Sequence, residues 1–213
     1  MSIPSIAIGE IDGSLAARTE VGWGAGLLEL NRYAEYTRAI PSNPRLLHGL
    51  SANYLVDARG RLEANPSALP RVSVPPRIAP GGYAELASLD PAQGSVVEGL
   101  TKSATQQQPR ELTISGYRED FYQIRYSALA DTLVRIAVPY APGWRAAVDG
   151  APVSVVPADY ALCGVVVPAG QHQLTLQFRP ASFMPGAALS ILGALGVVFL
   201  LLPLAVGNRR FLR

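Results

Sequence analysis

Three residues of this chain have the type and spacing to hold a sugar. Trp144 follows Pro142-Gly143, Tyr140 stands four residues before it, and Asp149 five residues after it. An indole or phenol ring can stack on the apolar face of a pyranose, and a carboxylate can accept its hydroxyl protons. The same three residues admit a packing reading, in which Trp144 and Tyr140 fill a β-sandwich and Asp149 opens a hairpin turn. Other chemistry finds little support. His48 and His172 are the two histidines, and neither sits in a ligand-spaced cluster. Cys163 is the single cysteine, so it has no partner for a disulfide or a thiolate metal site. Gly22-Trp23-Gly24-Ala25-Gly26 is glycine-rich, yet no strand clearly precedes it and no Lys-Ser/Thr follows, as a phosphate cradle requires. No G-x-S-x-G nucleophile elbow occurs. We therefore expect no catalytic residue, no metal site and no cofactor in this chain.

The elements that would position those residues are strands. From Glu111 onward apolar residues alternate: Leu112 and Ile114, then Tyr122, Ile124 and Tyr126. Next come Thr132, Val134, Ile136 and Val138, with Leu133, Arg135 and Ala137 on the opposite face. A period of two marks half-buried antiparallel strands. Asp149-Gly150 lies between two such runs and suits a two-residue hairpin turn with positive φ. Residues 160–167 and 172–178 are expected to pair through Pro168-Ala169-Gly170, with Leu174, Leu176 and Phe178 pointing inward. Upstream, residues 52–57 and 95–98 read as short strands. Residues 65–82 read as an extended, Pro-rich connection, and residues 101–109 as an exposed, Gln-rich loop. Before residue 50 the pattern is mixed. Leu27, Leu30, Ala34 and Thr37 line one face of a short helix. Asn43-Pro44 starts another, with Asn as cap, Leu46, Leu47 and Leu50 as its apolar side and Gly49 at its end. Short strands with turns about every ten residues point to a mainly β fold, an antiparallel β-sandwich or jelly-roll-like domain.

The composition conceals a second element. The hydrophobic class is 49% and charged residues 16% of the 213, and much of the apolar excess lies after Phe183. Residues 187–206 contain no charge, and twelve of the twenty are Leu, Ile, Val or Phe. Twenty helical residues rise about 30 Å, the thickness of a hydrocarbon core. Those twelve contribute on the order of −5 kcal/mol toward insertion. We expect a transmembrane helix over residues 183–207. Gly186, Ser190 and Ala194, spaced four apart, would offer a small-residue face to another helix. Arg209, Arg210 and Arg213 then mark residues 208–213 as a basic cytoplasmic tail, which places residues 1–182 on the far side of the membrane. The expected division is a mixed helical segment to residue 50, an extracytoplasmic β domain over 51–182, the helix and the tail. The N-terminus lacks a basic region and a long apolar run, so it is not a signal peptide. Either the chain ends a longer protein whose earlier helices cross the membrane, or it is tail-anchored with the opposite topology; the first is preferred. The net charge of +2 is small and dispersed, which argues against a nucleic-acid partner.

Several stretches together resemble the C-terminal end of the bacterial YfhO-type integral membrane proteins. One is Tyr140-Ala141-Pro142-Gly143-Trp144-Arg145-Ala146-Ala147-Val148-Asp149-Gly150. It is followed by Val167-Pro168-Ala169-Gly170-Gln171-His172, by Phe178-Arg179-Pro180 and by the terminal apolar run. Upstream, Leu46-Leu47-His48-Gly49-Leu50 through Tyr54-Leu55-Val56, and Asn65-Pro66 through Leu69-Pro70-Arg71, resemble further segments of that family. The resemblance covers about residues 45–205. It implies kinship with multi-helix glycosyltransferases that take sugar from a lipid-linked donor and carry their proposed catalytic acid in an early extracytoplasmic loop. This sequence contains no such loop, so the resemblance implies a non-catalytic fragment or separately encoded end. Its partners would be the lipid bilayer, other transmembrane helices and a glycan. A stand-alone, membrane-anchored module that binds glycans or envelope polymers is the alternative.

Overall fold

The computed structural model describes residues 30–56 and 61–180, together with Ser190 and Gly193. The expectation of a mainly β chain with antiparallel sheets and few helices is borne out. Among the described residues, five strands form one sheet in the order β11-β10-β14-β8-β7. These are Ala151–Val153, Trp144–Val148, Gly170–Phe178, Phe121–Ala128 and Glu111–Arg118. Seven form a second sheet in the order β3-β9-β13-β12-β5-β4-β6. They are Val72–Ser73, Thr132–Pro139, Leu162–Val167, Val155–Ala158, Ser95–Val97, Arg77–Pro80 and Ala104–Thr105. Strands β4 and β5 run parallel, joined by a connection that holds the 3-10 helix Tyr83–Ala87. A small separate hairpin pairs β1 (Tyr54–Val56) with β2 (Leu62–Ala64).

The alternation read from the sequence is what closes the two sheets on each other. Tyr122, Ile124 and Tyr126 from β8 and Leu174 and Leu176 from β14 form one wall of the core. Val134, Ile136 and Val138 from β9, with Cys163, Val165 and Val167 from β13, form the other. Register sustains the wall, since Leu174 faces Ile124 and Leu176 faces Tyr122 across the ladder. Each fully buried aliphatic side chain contributes about 1.5–3 kcal/mol. Phe178, expected to point inward, is only half-buried. The Asp149-Gly150 turn also holds: β10 and β11 pair as a two-residue hairpin, with φ +48° at Asp149 and +85° at Gly150.

The last expected hairpin does not form. Residues 162–167 pair with β9 and β12, whereas residues 170–178 pair with β8, so Pro168-Ala169 carries the chain from one sheet to the other. Gly170, at φ +121°, takes the turn into the five-stranded sheet. The N-terminal helices differ too. Helix α1 (Asn31–Ala39) buries Ala34 and Tyr36, while Leu30 is 44% exposed. Asn43 does not cap helix α2 (Leu46–Gly49); its side-chain amide donates to the carbonyls of Leu86 and Leu89 at 2.8 and 2.7 Å. With Tyr36, Ile40, Leu46, Leu86, Leu89, Val96 and Ala161 in one cluster, these helices cover the outer face of the seven-stranded sheet.

That cover explains Arg135, which is 2% exposed in β9. Its guanidinium donates to Asp159 at 2.8 Å and to the Pro91 carbonyl at 3.0 Å. Asp159 also accepts from Ser95 Oγ at 2.6 Å and the Val96 amide at 3.2 Å. Most of the expected transmembrane helix lies outside the described residues. Ser190 and Gly193 are helical, Gly186 and Ala194 are not described, and among the described residues no helix is long and apolar enough to cross a membrane.

Candidate functional site

Tyr140, Trp144 and Asp149 each take different partners. The turn 141–144 closes with the Trp144 amide donating to Ala141 O at 3.1 Å. This swings the indole onto the edge of the sandwich core, half-buried, where its Nε1 donates to Pro139 O at 3.0 Å. The ring lies 6.2 Å from Tyr122. Tyr140 is also half-buried against that core, and its ring sits 5.9 Å from the Arg32 guanidinium. Arg32 reaches over from α1 to donate to both oxygens of Glu98, at 2.5 and 3.0 Å, and to the carbonyl of Tyr160 at 3.2 Å. The Glu98 hydrogen bond holds the Arg32 pKa above its ordinary value. Tyr160 donates in turn to Glu35, which raises the phenol pKa. This constellation ties α1 to the sheet.

Asp149 belongs to a clamp on the five-stranded sheet. One carboxylate oxygen accepts from the Gln173 amide at 2.9 Å, and the other lies 2.6 Å from His172 Nδ1. The second ring nitrogen of His172 faces the Ala169 carbonyl at 3.1 Å. Both ring nitrogens therefore meet acceptors, and only the imidazolium can donate to both. Accordingly the His172 pKa is raised, first by Asp149 and then by Ala169. The Asp149 pKa is lowered, first by the Gln173 amide and then by His172. The polar hollow beside them, about 320 Å³, is also lined by Glu111, Arg125 and Gln171. Tyr126 beneath it has its pKa pushed up to about 12, chiefly by burial.

The clamp makes stability depend on pH from both sides. The histidine contribution is fully present below the ordinary value of 6.5 and is lost as pH rises through the raised folded value. The aspartate contribution is present above 3.8 and is lost as pH falls through the lowered folded value. Stability is thus expected to be greatest between those two ordinary values and to decline on either side. In an NMR titration, His172 should titrate above 6.5 and Asp149→Asn should bring its midpoint down. An unmoved midpoint in that variant would refute the clamp.

A larger cleft, about 410 Å³, is lined by Ser51, Asn53, Pro70, Arg71, Ile114 and Tyr117. None of these residues was singled out as a ligand contact in the sequence. The available signal was Gly116, which interrupts the alternation of 112–117 as a bulge does. The register indeed shifts between Ile114 and Gly116.

Comparison with known proteins finds a similarity over part of this chain. Residues 93–190 match the family model described as bacterial membrane protein YfhO. The resemblance to YfhO-type membrane proteins is thereby borne out over a stretch that holds β5 to β14; the upstream segments at residues 46–56 and 65–71 lie outside it. No curated protein and no solved structure matches the chain.

Proposed function

On the premise that residues 93–190 are YfhO-type membrane-protein sequence, we propose that this chain is the non-catalytic extracytoplasmic domain and membrane anchor of a polytopic protein. That protein acts in lipid-linked sugar transfer or cell-envelope glycosylation, and this chain caps or shapes its acceptor side. The family match carries the reading. It is supported by the uncharged residues 187–206 and by the arginines at 209, 210 and 213, which favour a cytoplasmic tail. The partners are the bilayer and further transmembrane helices, to which Gly186, Ser190 and Ala194 offer a small-residue face. The second reading, a stand-alone membrane-anchored glycan-binding module, is favoured by the mixed aromatic and cationic lining of the larger cleft.

The anchor predicts that the full chain stays with membranes through carbonate and high salt, since salt screens surface attraction and leaves a spanning helix in place. Recovery in the soluble fraction without detergent would overturn it. Orientation is read by cysteine labelling. Cys163 is buried and its thiol pKa is pushed up to about 12 by burial, so it reports poorly. Gln106 and Gln108 are also poor sites, because their side chains bond to Leu133, Pro75 and Val74. Ser103 is exposed on the same loop. Ser103→Cys in a Cys163→Ser background is expected to react with an impermeant maleimide in intact cells. Reaction only after lysis would reverse the topology.

A further inference from the structure

We infer that the cleft between β7 and the Pro70-Arg71 approach to β3 binds a sugar unit that carries an anionic group, a phosphate or a carboxylate. The inference deepens the reading of this domain as one that meets envelope sugars.

Its first support is the bulge. Residues directly opposite on paired strands share a face. Ile114 faces Ile124 and Tyr117 faces Tyr122, so the extra residue Ser115 puts Ile114 and Tyr117 on one face although they are three apart in sequence. An unbroken strand would send Tyr117 to the other face. Both side chains are on the face that elsewhere fills the core, yet they remain 41% and 45% exposed. The sandwich is open at this point, and the two side chains form one wall of the cleft.

The aromatic wall is backed by the core. The Tyr117 ring lies 5.1 Å from Tyr122, which lies 6.2 Å from Trp144, so the exposed ring continues a ladder rooted in the core. A fixed, solvent-facing ring provides a flat apolar surface at little entropic cost, which suits the C–H face of a pyranose. Facing it is Arg71, whose guanidinium carbon is 5.9 Å from the Tyr117 ring and whose Nη1 donates to Tyr122 Oη at 3.3 Å. These contacts set the plane of a group whose forked donors match phosphate and carboxylate oxygens.

The opposite rim supplies groups for hydroxyls. Ser51 holds φ +57°, a conformation uncommon outside glycine. The segment 51–53 is pinned by Asn65, which donates its side-chain amide to Ala52 O at 2.9 Å and its backbone amide to Asn53 O at 2.8 Å. Ser51 and Asn53 thus meet the cleft from a fixed backbone. The volume suits one sugar with its substituent, at the lower end of small-ligand sites. An added β-strand from a peptide is disfavoured on β7, because the bulge breaks the edge ladder where it would pair.

The test is calorimetric titration of the full chain in detergent with a hexose phosphate, a hexuronate, the uncharged hexose and inorganic phosphate. At least one anionic sugar is expected to bind about tenfold or more tightly than the uncharged hexose and inorganic phosphate. Tyr117→Ala and Arg71→Gln should each weaken it by about tenfold. Arg71→Lys should fall between, because it keeps the charge and loses the fork. Tyr83→Ala, at an exposed tyrosine outside the cleft, should leave binding unchanged. Thermal unfolding of each variant confirms that it is folded. The inference is overturned if neither anionic sugar binds, if folded variants bind as the parent does, or if inorganic phosphate binds as tightly as the hexose phosphate. Such a result in a chain that still resists carbonate extraction leaves the anchor reading standing and removes this one alone.

Discussion

Asp159→Asn is expected to destabilise the chain by about 3–5 kcal/mol, enough to consume much of the stability of an ordinary domain. Asparagine is the informative replacement, because Asp159 sits at φ +48° and asparagine tolerates that backbone while alanine adds strain of its own. The substitution keeps the shape and removes the charge. Arg135 then stays 2% exposed with its counter-ion gone. Its bonds to Pro91 O and Ser73 Oγ satisfy N–H groups without neutralising the guanidinium. A buried pair contributes little net stability against a hydrophobic replacement, but breaking it from one side is costly. Arg135→Met combined with Asp159→Asn should therefore be closer to the parent than Asp159→Asn alone. Chemical denaturation in detergent decides. A single variant with an unchanged midpoint, or a double variant worse than the sum of both singles, would show that the pair is not what closes this face.

The sheets were legible in the sequence where the signal was local. Tyr122, Ile124 and Tyr126 alternate against polar neighbours, and a strand with one covered face must do so. Asp149-Gly150 announced its own turn for the same reason, since positive φ restricts the residues that fit. Which strands pair is a different question. Val167 and Gly170 are three residues apart, yet they belong to different sheets, because β13 finds its partners in β9 and β12 rather than in its successor. Backbone donors and acceptors are alike in every strand, so nothing between residues 160 and 178 distinguishes a hairpin from a crossing. Arg135 shows another limit. Its place opposite Val134 and Ile136 is plain from the period, but its burial depends on helices about a hundred residues upstream. The site residues divide the same way. Tyr140, Trp144 and Asp149 are neighbours in sequence, whereas their partners are Arg32, Pro139 with Tyr122, and His172. The cleft unites Ser51, Arg71 and Tyr117 across the chain, and its one local sign was a glycine inside a strand.

Trp144→Ala is expected to cost about 3 kcal/mol, the low end for a deleted large aromatic, because the indole is half-buried and not enclosed. Two losses add. The ring leaves a gap against the core and Tyr122, and the Pro139 carbonyl loses the Nε1 donor. Trp144→Phe separates them: it keeps most of the ring and removes the donor, so its cost should be about 1 kcal/mol. If the indole were instead an exposed platform for a sugar, Trp144→Ala would change stability by under about 0.5 kcal/mol, as surface substitutions usually do. It would then weaken ligand binding with the unfolding midpoint intact. The hydrogen bond to Pro139 favours the structural outcome, since it fixes the indole edge-on to the turn at residues 141–144. Thermal unfolding of the detergent-purified chain and its two variants checks the order parent, Phe, Ala. Equal midpoints in all three would move Trp144 from the packing of the sandwich to its ligand surface, where it would extend the Tyr117 and Tyr122 ladder instead of anchoring it.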